Sequence, residues 1–374
     1  MIPERVYLDF NASTPIAPEV AEAMKPFLSQ HFGNPSSPHW AGEPAREAVD
    51  QARKQVADLL RCRPDEVVFT SGGSESNNHA IKGAFFALKE RGNHIITTQI
   101  EHPAVLNPCR FLEKLGAKVT YIGVDPYGRV NPADIEKAIT SKTILITVMH
   151  ANNEVGTIQP IGEISKIAKK NRIIFHTDAA QSLGKINTNV DDLGIDLLSV
   201  AGHKLYAPKG VGALYIREGI PIEPLIHGAG HELGHRAGTE NVLLIVGLGK
   251  ACEIAKGYLN DDRILDLRDH FWKFLQDSFG DGVVLNGHPT HRLPNTLNIS
   301  FIRKVGGEIL SQLDGVAAST GAACHSGSVE LSPVLKAMGI STEVGMGAVR
   351  FSLGRTTTIQ ELERVVQLLN NTLP

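Results

Sequence analysis

The sequence predicts an α/β protein: a mostly parallel central sheet with helices on both faces, joined to a smaller α+β domain near the C-terminus. Three observations predict it. Short β-branched runs alternate with helix-like segments from about residue 65 to residue 217. Those runs are apolar almost throughout, as strands covered on both faces are, where a half-exposed sheet would alternate apolar with polar. The chain's 374 residues also exceed what one hydrophobic core usually serves.

The elements follow in order. A short strand is expected in the opening "MIPERVYLDFNAS"; alone it has no partner, so it should join the small domain's sheet. "EPAREAVDQARKQVADLL" (43–60) sets Val49, Ala52, Val56 and Leu59 on one stripe, which predicts an amphipathic helix. Strands are expected at 66–70, 94–98, 118–122, 143–149, 172–177, 196–200 and 212–217. A glycine-rich stretch, "HGAGHELGHRAGTEN" (227–241), precedes a long helical region over 240–278. Beyond it, "NTLNISF" (295–301), "GVAAST" (315–320) and "VRFSLG" (349–354) read as strands among helices such as "TIQELERVVQLLNN" (358–371). The expected division is 14–258 for the large domain, with 1–13 and 259–374 forming the small one.

At 42% hydrophobic and 21% charged, the composition is that of an ordinary globular protein. A formal net charge of −3 gives no reason to expect a nucleic-acid or anionic-membrane partner. Glu4, Arg5 and Asp9 interrupt the apolar core a secretion signal would need, and no uncharged apolar run is long enough to span a membrane. Cys62, Cys109, Cys252 and Cys324 are scattered without paired spacing, which fits free thiols in a cytoplasmic protein.

In an open parallel sheet, ligands bind beyond the carboxyl ends of the strands. "EVVFT" runs into "SGGSESNN" (71–78), where glycines and serines at a helix start can cradle a phosphate or simply form a capped turn. It is neither of the glycine fingerprints of dinucleotide or nucleoside triphosphate sites. "RIIFHT" ends at Asp178, with Gln181 close behind, and "DLLSV" leads to His203 and Lys204. His102 follows another strand, and Asn152, Asn153 and Glu154 follow a fourth. A phosphate cradle, a carboxylate and an amine on one sheet edge are the set pyridoxal phosphate needs: phosphate donors, an acid for the pyridine nitrogen and a lysine for the imine.

The segments "YLDFNASTP", "FGNPSSPH", "TSGGSESNN", "EHPAVL", "NNEVGTIQPI", "HTDAAQ", "GHKLYAPKGVG", "RAGTEN", "TGAACHSG" and "RFSLGR" resemble the group I cysteine desulfurases, in order from residue 7 to about 356. These are class V aminotransferase-like enzymes of the fold-type-I pyridoxal phosphate group. The resemblance implies Lys204 as the cofactor's lysine, Asp178 as partner of its ring nitrogen, Gln181 near its phenolic oxygen and His102 stacked on its ring. It implies Gly73, Ser74 and His203 at the phosphate, with Thr239 from the other subunit of a homodimer. Arg355, preferred to Arg350 because it fits "SLGR", would grip the substrate carboxylate with Asn153 beside it.

Cys324 would accept the sulfur of L-cysteine as a persulfide, leaving alanine, and pass it to a protein acceptor such as a cluster scaffold or sulfur carrier. The small residues around it suit a thiol that must travel between cofactor and acceptor. His102 is a candidate proton carrier. Two departures from the resemblance stand out. Ala201 replaces a frequent serine and so removes a phosphate hydroxyl, and Ala229 interrupts a frequent triple glycine. "AACHS" is also similar to the selenocysteine lyases, so selenocysteine is the alternative substrate. A non-catalytic scaffold for sulfur transfer would have no use for Lys204, Asp178, Arg355 and Cys324 together. His227, His231 and His235 recur at metal-ligand spacing, but the intervening glycines argue against a helix, and no metal is expected.

Overall fold

The computed structural model describes residues 5–259, 261–320 and 330–373. The strands are β1 (Val6–Tyr7), β2 (Val67–Thr70), β3 (His94–Thr98), β4 (Lys118–Ile122), β5 (Thr143–Thr147), β6 (Ile174–Asp178), β7 (Leu197–Ala201), β8 (Gly212–Ile216), β9 (Val283–Asn286), β10 (Thr296–Phe301), β11 (Val316–Ala317) and β12 (Ala348–Ser352). Seven form the large sheet in the order β2-β8-β7-β6-β5-β3-β4. The pairs from β7 through β4 are parallel, and β8 alone runs antiparallel to both its neighbours, β2 and β7.

Successive residues of the central strands enter opposite cores. Ile96, Ile146, Phe175 and Leu198 pack on one face with the helices Glu43–Leu60 and Val242–Ala255. Ile95, Leu145, Ile174 and Leu197 pack on the other with the helix Gly73–Leu88. This two-sided burial is why the strands lack polar alternation. A third core lies between the antiparallel sheet β12-β10-β9 and the helices Arg263–Phe279 and Ile359–Thr372. Phe271 and Phe351 meet there edge to face at 5.2 Å. β1 pairs in parallel with β11, and Val6 and Leu8 enter this third core.

Two elements differ from expectation. The helical region over 240–278 is two helices, Val242–Ala255 and Arg263–Phe279, because "GYLNDD" introduces glycine and short polar residues that cannot sustain a helix. The strand expected at 315–320 shortens to β11, since the chain there has one partner in β1 and then a single bridge from Ser319 to Arg350.

Candidate active site

The ends of β2, β6 and β7 open on a cavity of about 630 Å³. Gly73, Ser74, His102, Asn153, Asp178, Gln181, His203 and Lys204 all line it. Thr239 does not line the cavity of its own chain. Cys324 lies outside the described residues.

One end of the cavity is built for an anion. Gly72 has φ +145°, a conformation side chains disfavour, and it turns the chain from β2 into the helix Gly73–Leu88. The unpaired N–H groups of that helix start line the cavity through Gly73 and Ser74. A Cβ on Gly73 would come within 3.1 Å of the Ala201 Cβ, so the backbone approaches β7 closely only without one. Glu75 would repel an anion here, but Arg236 Nε donates to it at 2.9 Å and the Ser71 N–H at 2.8 Å. Burial, with the charges of Lys204 and Lys209, pushes His203 down to about 4, so it is a neutral donor or acceptor at neutral pH.

The other end holds the acid and the amine. Asp178 is buried at the tip of β6; its Oδ2 accepts from Asn77 Nδ2 at 2.7 Å and its Oδ1 from the Ala180 N–H at 2.9 Å. Lys204 Nζ donates to the carbonyls of Asn11 at 2.5 Å and Ala12 at 2.7 Å. Burial, reinforced by Arg350, pushes its ammonium down to about 8, so a useful fraction is free amine near neutral pH. His102 caps the helix Pro103–Glu113, its Nδ1 accepting from the Ala104 N–H at 3.0 Å. The neutral ring therefore carries its proton on Nε2. Taking a second proton at Nδ1 would break that cap, and burial likewise lowers the ring's pKa.

Arg355 does not reach the cavity. Its guanidinium lies between the rings of Tyr206 and Tyr258, at 4.2 and 4.0 Å from their centroids, and the residue lines a separate chamber that Lys204 also borders. Arg350 lines the cavity instead: β12 places it opposite Asn298, and it is 7% exposed. Its Nη1 donates to the Asn153 carbonyl at 3.0 Å and its Nη2 to Asp9 Oδ1 at 2.7 Å, while its Nε finds no partner among the described residues. The preference for Arg355 rested on the string "SLGR". The fold sets Arg350 on the cavity wall and Arg355 off it, because a strand residue facing inward reaches the cavity and the residue past the strand end does not.

Two residues that sequence reasoning left without a role also stand here. Asn77 lies one helical turn beyond Gly73, a spacing that could have marked it. Asn11 has no such signal: only the fold brings its carbonyl to Lys204. Among the described residues no group of three histidine, cysteine or acidic side chains could hold a metal, His227, His231 and His235 included.

The donor set fits pyridoxal phosphate: a helix start entered through two glycines for the phosphate, a buried carboxylate held in place by Asn77 for the ring nitrogen and an amine of lowered pKa. Comparison with known proteins agrees. The family model described as aminotransferase class-V matches residues 6–365. "Cysteine desulfurase IscS" of Dictyoglomus turgidum is 52% identical over 99% of this chain and 96% of its own. The protein of the same name from Methanosarcina thermophila is 49% identical over 97% and 91%. Among solved structures, a "NifS-like protein" superposes with a TM-score of 0.93 at 38% identity, covering 99% of both chains. A structure titled "SspA in complex with cysteine" gives 0.83 at 43% identity, over 93% of this chain and 98% of that one. By fold, site and sequence alike, the chain belongs to the class-V aminotransferase family.

Proposed function

We propose that this chain is a pyridoxal phosphate-dependent cysteine desulfurase, which cleaves the carbon–sulfur bond of L-cysteine, releases alanine and hands the sulfur to an acceptor. The observation that carries the reading is the meeting of Lys204, Asp178 and the helix start at Gly73 in one cavity. When bound, pyridoxal phosphate supplies an electron sink for the pair left at the substrate Cα when its proton is removed. Asp178 keeps that sink effective by holding positive charge at the ring nitrogen. Lys204, with its lowered pKa, is the base suited to take the proton. Arg350, the arginine on the cavity wall, binds the substrate carboxylate through its charge. The thiolate of Cys324 then attacks the substrate sulfur; the S–S bond forms as the C–S bond breaks, so no outside oxidant or reductant is needed.

The reading includes a homodimer and a protein sulfur acceptor. Leu28, Phe32 and Trp40 stand 69%, 74% and 79% exposed on one stretch of chain, an apolar surface that a second copy would cover. Thr239 then belongs to the partner's cavity. Free thiols at Cys62, Cys109 and Cys252 support a cytoplasmic setting. The test is to mix cofactor-free protein with pyridoxal phosphate and then supply cysteine or selenocysteine. Wild type gains a visible band and forms alanine from cysteine; Lys204→Ala gains no band, and Cys324→Ala keeps the band but loses cysteine turnover. Turnover of selenocysteine alone by the wild type would overturn the substrate assignment.

A further inference from the structure

Beside Lys204, which also lines the main cavity, lies a second chamber of about 70 Å³ lined by Lys185, Arg355, Tyr206, Tyr258, Asp261 and Lys204 itself. Lys185 has no part in the chemistry above, yet it is bonded to two residues that flank the cavity's amine. Its Nζ donates to Gln181 Oε1 at 3.0 Å and to Asn11 Oδ1 at 3.3 Å. Gln181 Nε2 donates to the Asn11 carbonyl at 2.9 Å, the same oxygen that accepts from Lys204.

These contacts remove an ambiguity that a glutamine normally keeps. An amide can be turned over, exchanging its oxygen and nitrogen at little cost in shape. Turned over here, Gln181 would face an amine donor with its own N–H groups and the Asn11 carbonyl with its own oxygen. The contact with the Asn11 carbonyl would turn repulsive whatever the charge of Lys185, and the contact with Lys185 would do so while it is an ammonium. One orientation survives, with the oxygen toward Lys185 and the nitrogen away from it. Gln181 lines the main cavity, and Nε2 has a second N–H beyond the one given to Asn11. We infer that Lys185 is a positioning residue for the reaction, fixing the Gln181 amide so that the cavity meets an N–H donor and not a carbonyl oxygen. Burial, with the charges of Lys204 and Arg350, pushes the Lys185 ammonium down to about 7, and the neutral amine still has two N–H groups for its two oxygen partners.

The inference rests on the pyridoxal phosphate reading, in which Gln181 faces the cofactor's phenolic oxygen, and deepens it. The absorption spectrum of the holoenzyme tests it, because a donor at that oxygen sets the ratio of the lysine-bound cofactor's two near-ultraviolet and visible bands. Gln181→Met shifts this ratio at fixed pH. Lys185→Met shifts it in the same direction by a comparable amount, Lys185→Arg restores the wild-type ratio, and the double variant adds nothing beyond Gln181→Met. A wild-type spectrum in Lys185→Met beside a shifted Gln181→Met overturns the inference, as do two shifts that sum in the double variant. An unchanged Gln181→Met overturns it too. Should Lys185→Met not fold, Lys185→Leu, which likewise carries no donor, takes its place in the cycle. A wild-type protein that gains no band would instead fail the cofactor reading itself.

Discussion

Arg350 and Arg355 stand five positions apart in one motif-like string and do different things. Arg350 sits on an inward-facing strand position, holds Asp9 and the Asn153 carbonyl, and lines the cavity. Arg355 spends its guanidinium on two tyrosine rings. Arg350→Lys should therefore raise KM for cysteine by roughly tenfold to a hundredfold, matching about 1.5–3 kcal/mol for a hydrogen bond between charged groups. Arg355→Lys should leave KM within about twofold, as expected of a residue off the binding face. Steady-state kinetics of both variants decide the matter, and a KM that moves only with Arg355 would reverse the assignment. Lys204, Asp178 and the glycine turn were legible in the sequence because each ends a strand whose apolar run is unmistakable. Asn11 was not, since nothing in residues 7–15 says that a carbonyl there meets an amine at position 204. The choice between the arginines was illegible for a related reason: a string gives spacing, whereas register decides which side chain faces inward.

The antiparallel β8 is the element that shapes the anion end of the cavity. Inserted between β2 and β7, it carries Gly212 beneath the turn at Gly72; a Cβ on Gly212 would lie 2.7 Å from the Gly72 Cα. The sequence showed a strand at 212–217 but not its direction, because parallel and antiparallel strands share an apolar pattern when both faces are buried. Gly72 has open space around a would-be Cβ, so its requirement for glycine is purely conformational. Gly72→Ala should therefore destabilise the cofactor-free protein by about 1–3 kcal/mol through backbone strain, without a packing clash. Urea unfolding measures this, and an unchanged midpoint would mean that the turn relaxes freely. The same variant should weaken pyridoxal phosphate binding, because the helix start would no longer aim its N–H groups into the cavity.

Across the whole molecule, buried titratable groups pull stability in opposite directions. Burial pushes His79, His150 and His203 down to about 4 and His176 to about 3, so the native state holds them neutral. A base depressed in this way supports the fold fully above its unfolded pKa of about 6.5 and loses that support as pH falls. Burial pushes Glu101 up to about 8 and Glu154 to about 7; these acids support the fold fully below their unfolded pKa of about 4.3 and lose that support as pH rises from there to those values. From pH 4 to pH 6.5 four histidines oppose two glutamates, so stability of the cofactor-free protein should climb with pH across that window. Urea midpoints taken at several pH values check this, and a flat or falling trend would show that the histidines ionise within the fold. The region around Asn11 joins the two cores on a finer scale. Its backbone and side chain bond Lys204, Gln181 and Lys185 from the large sheet's side, and Asn295, Thr296 and Ser352 from the small sheet's side. A residue so shared acts as a mechanical splice. Any tilt of one sheet against the other would strain these shared bonds, the one to the Lys204 amine among them, so the joint between the two cores and the wall of the cavity are one and the same structure.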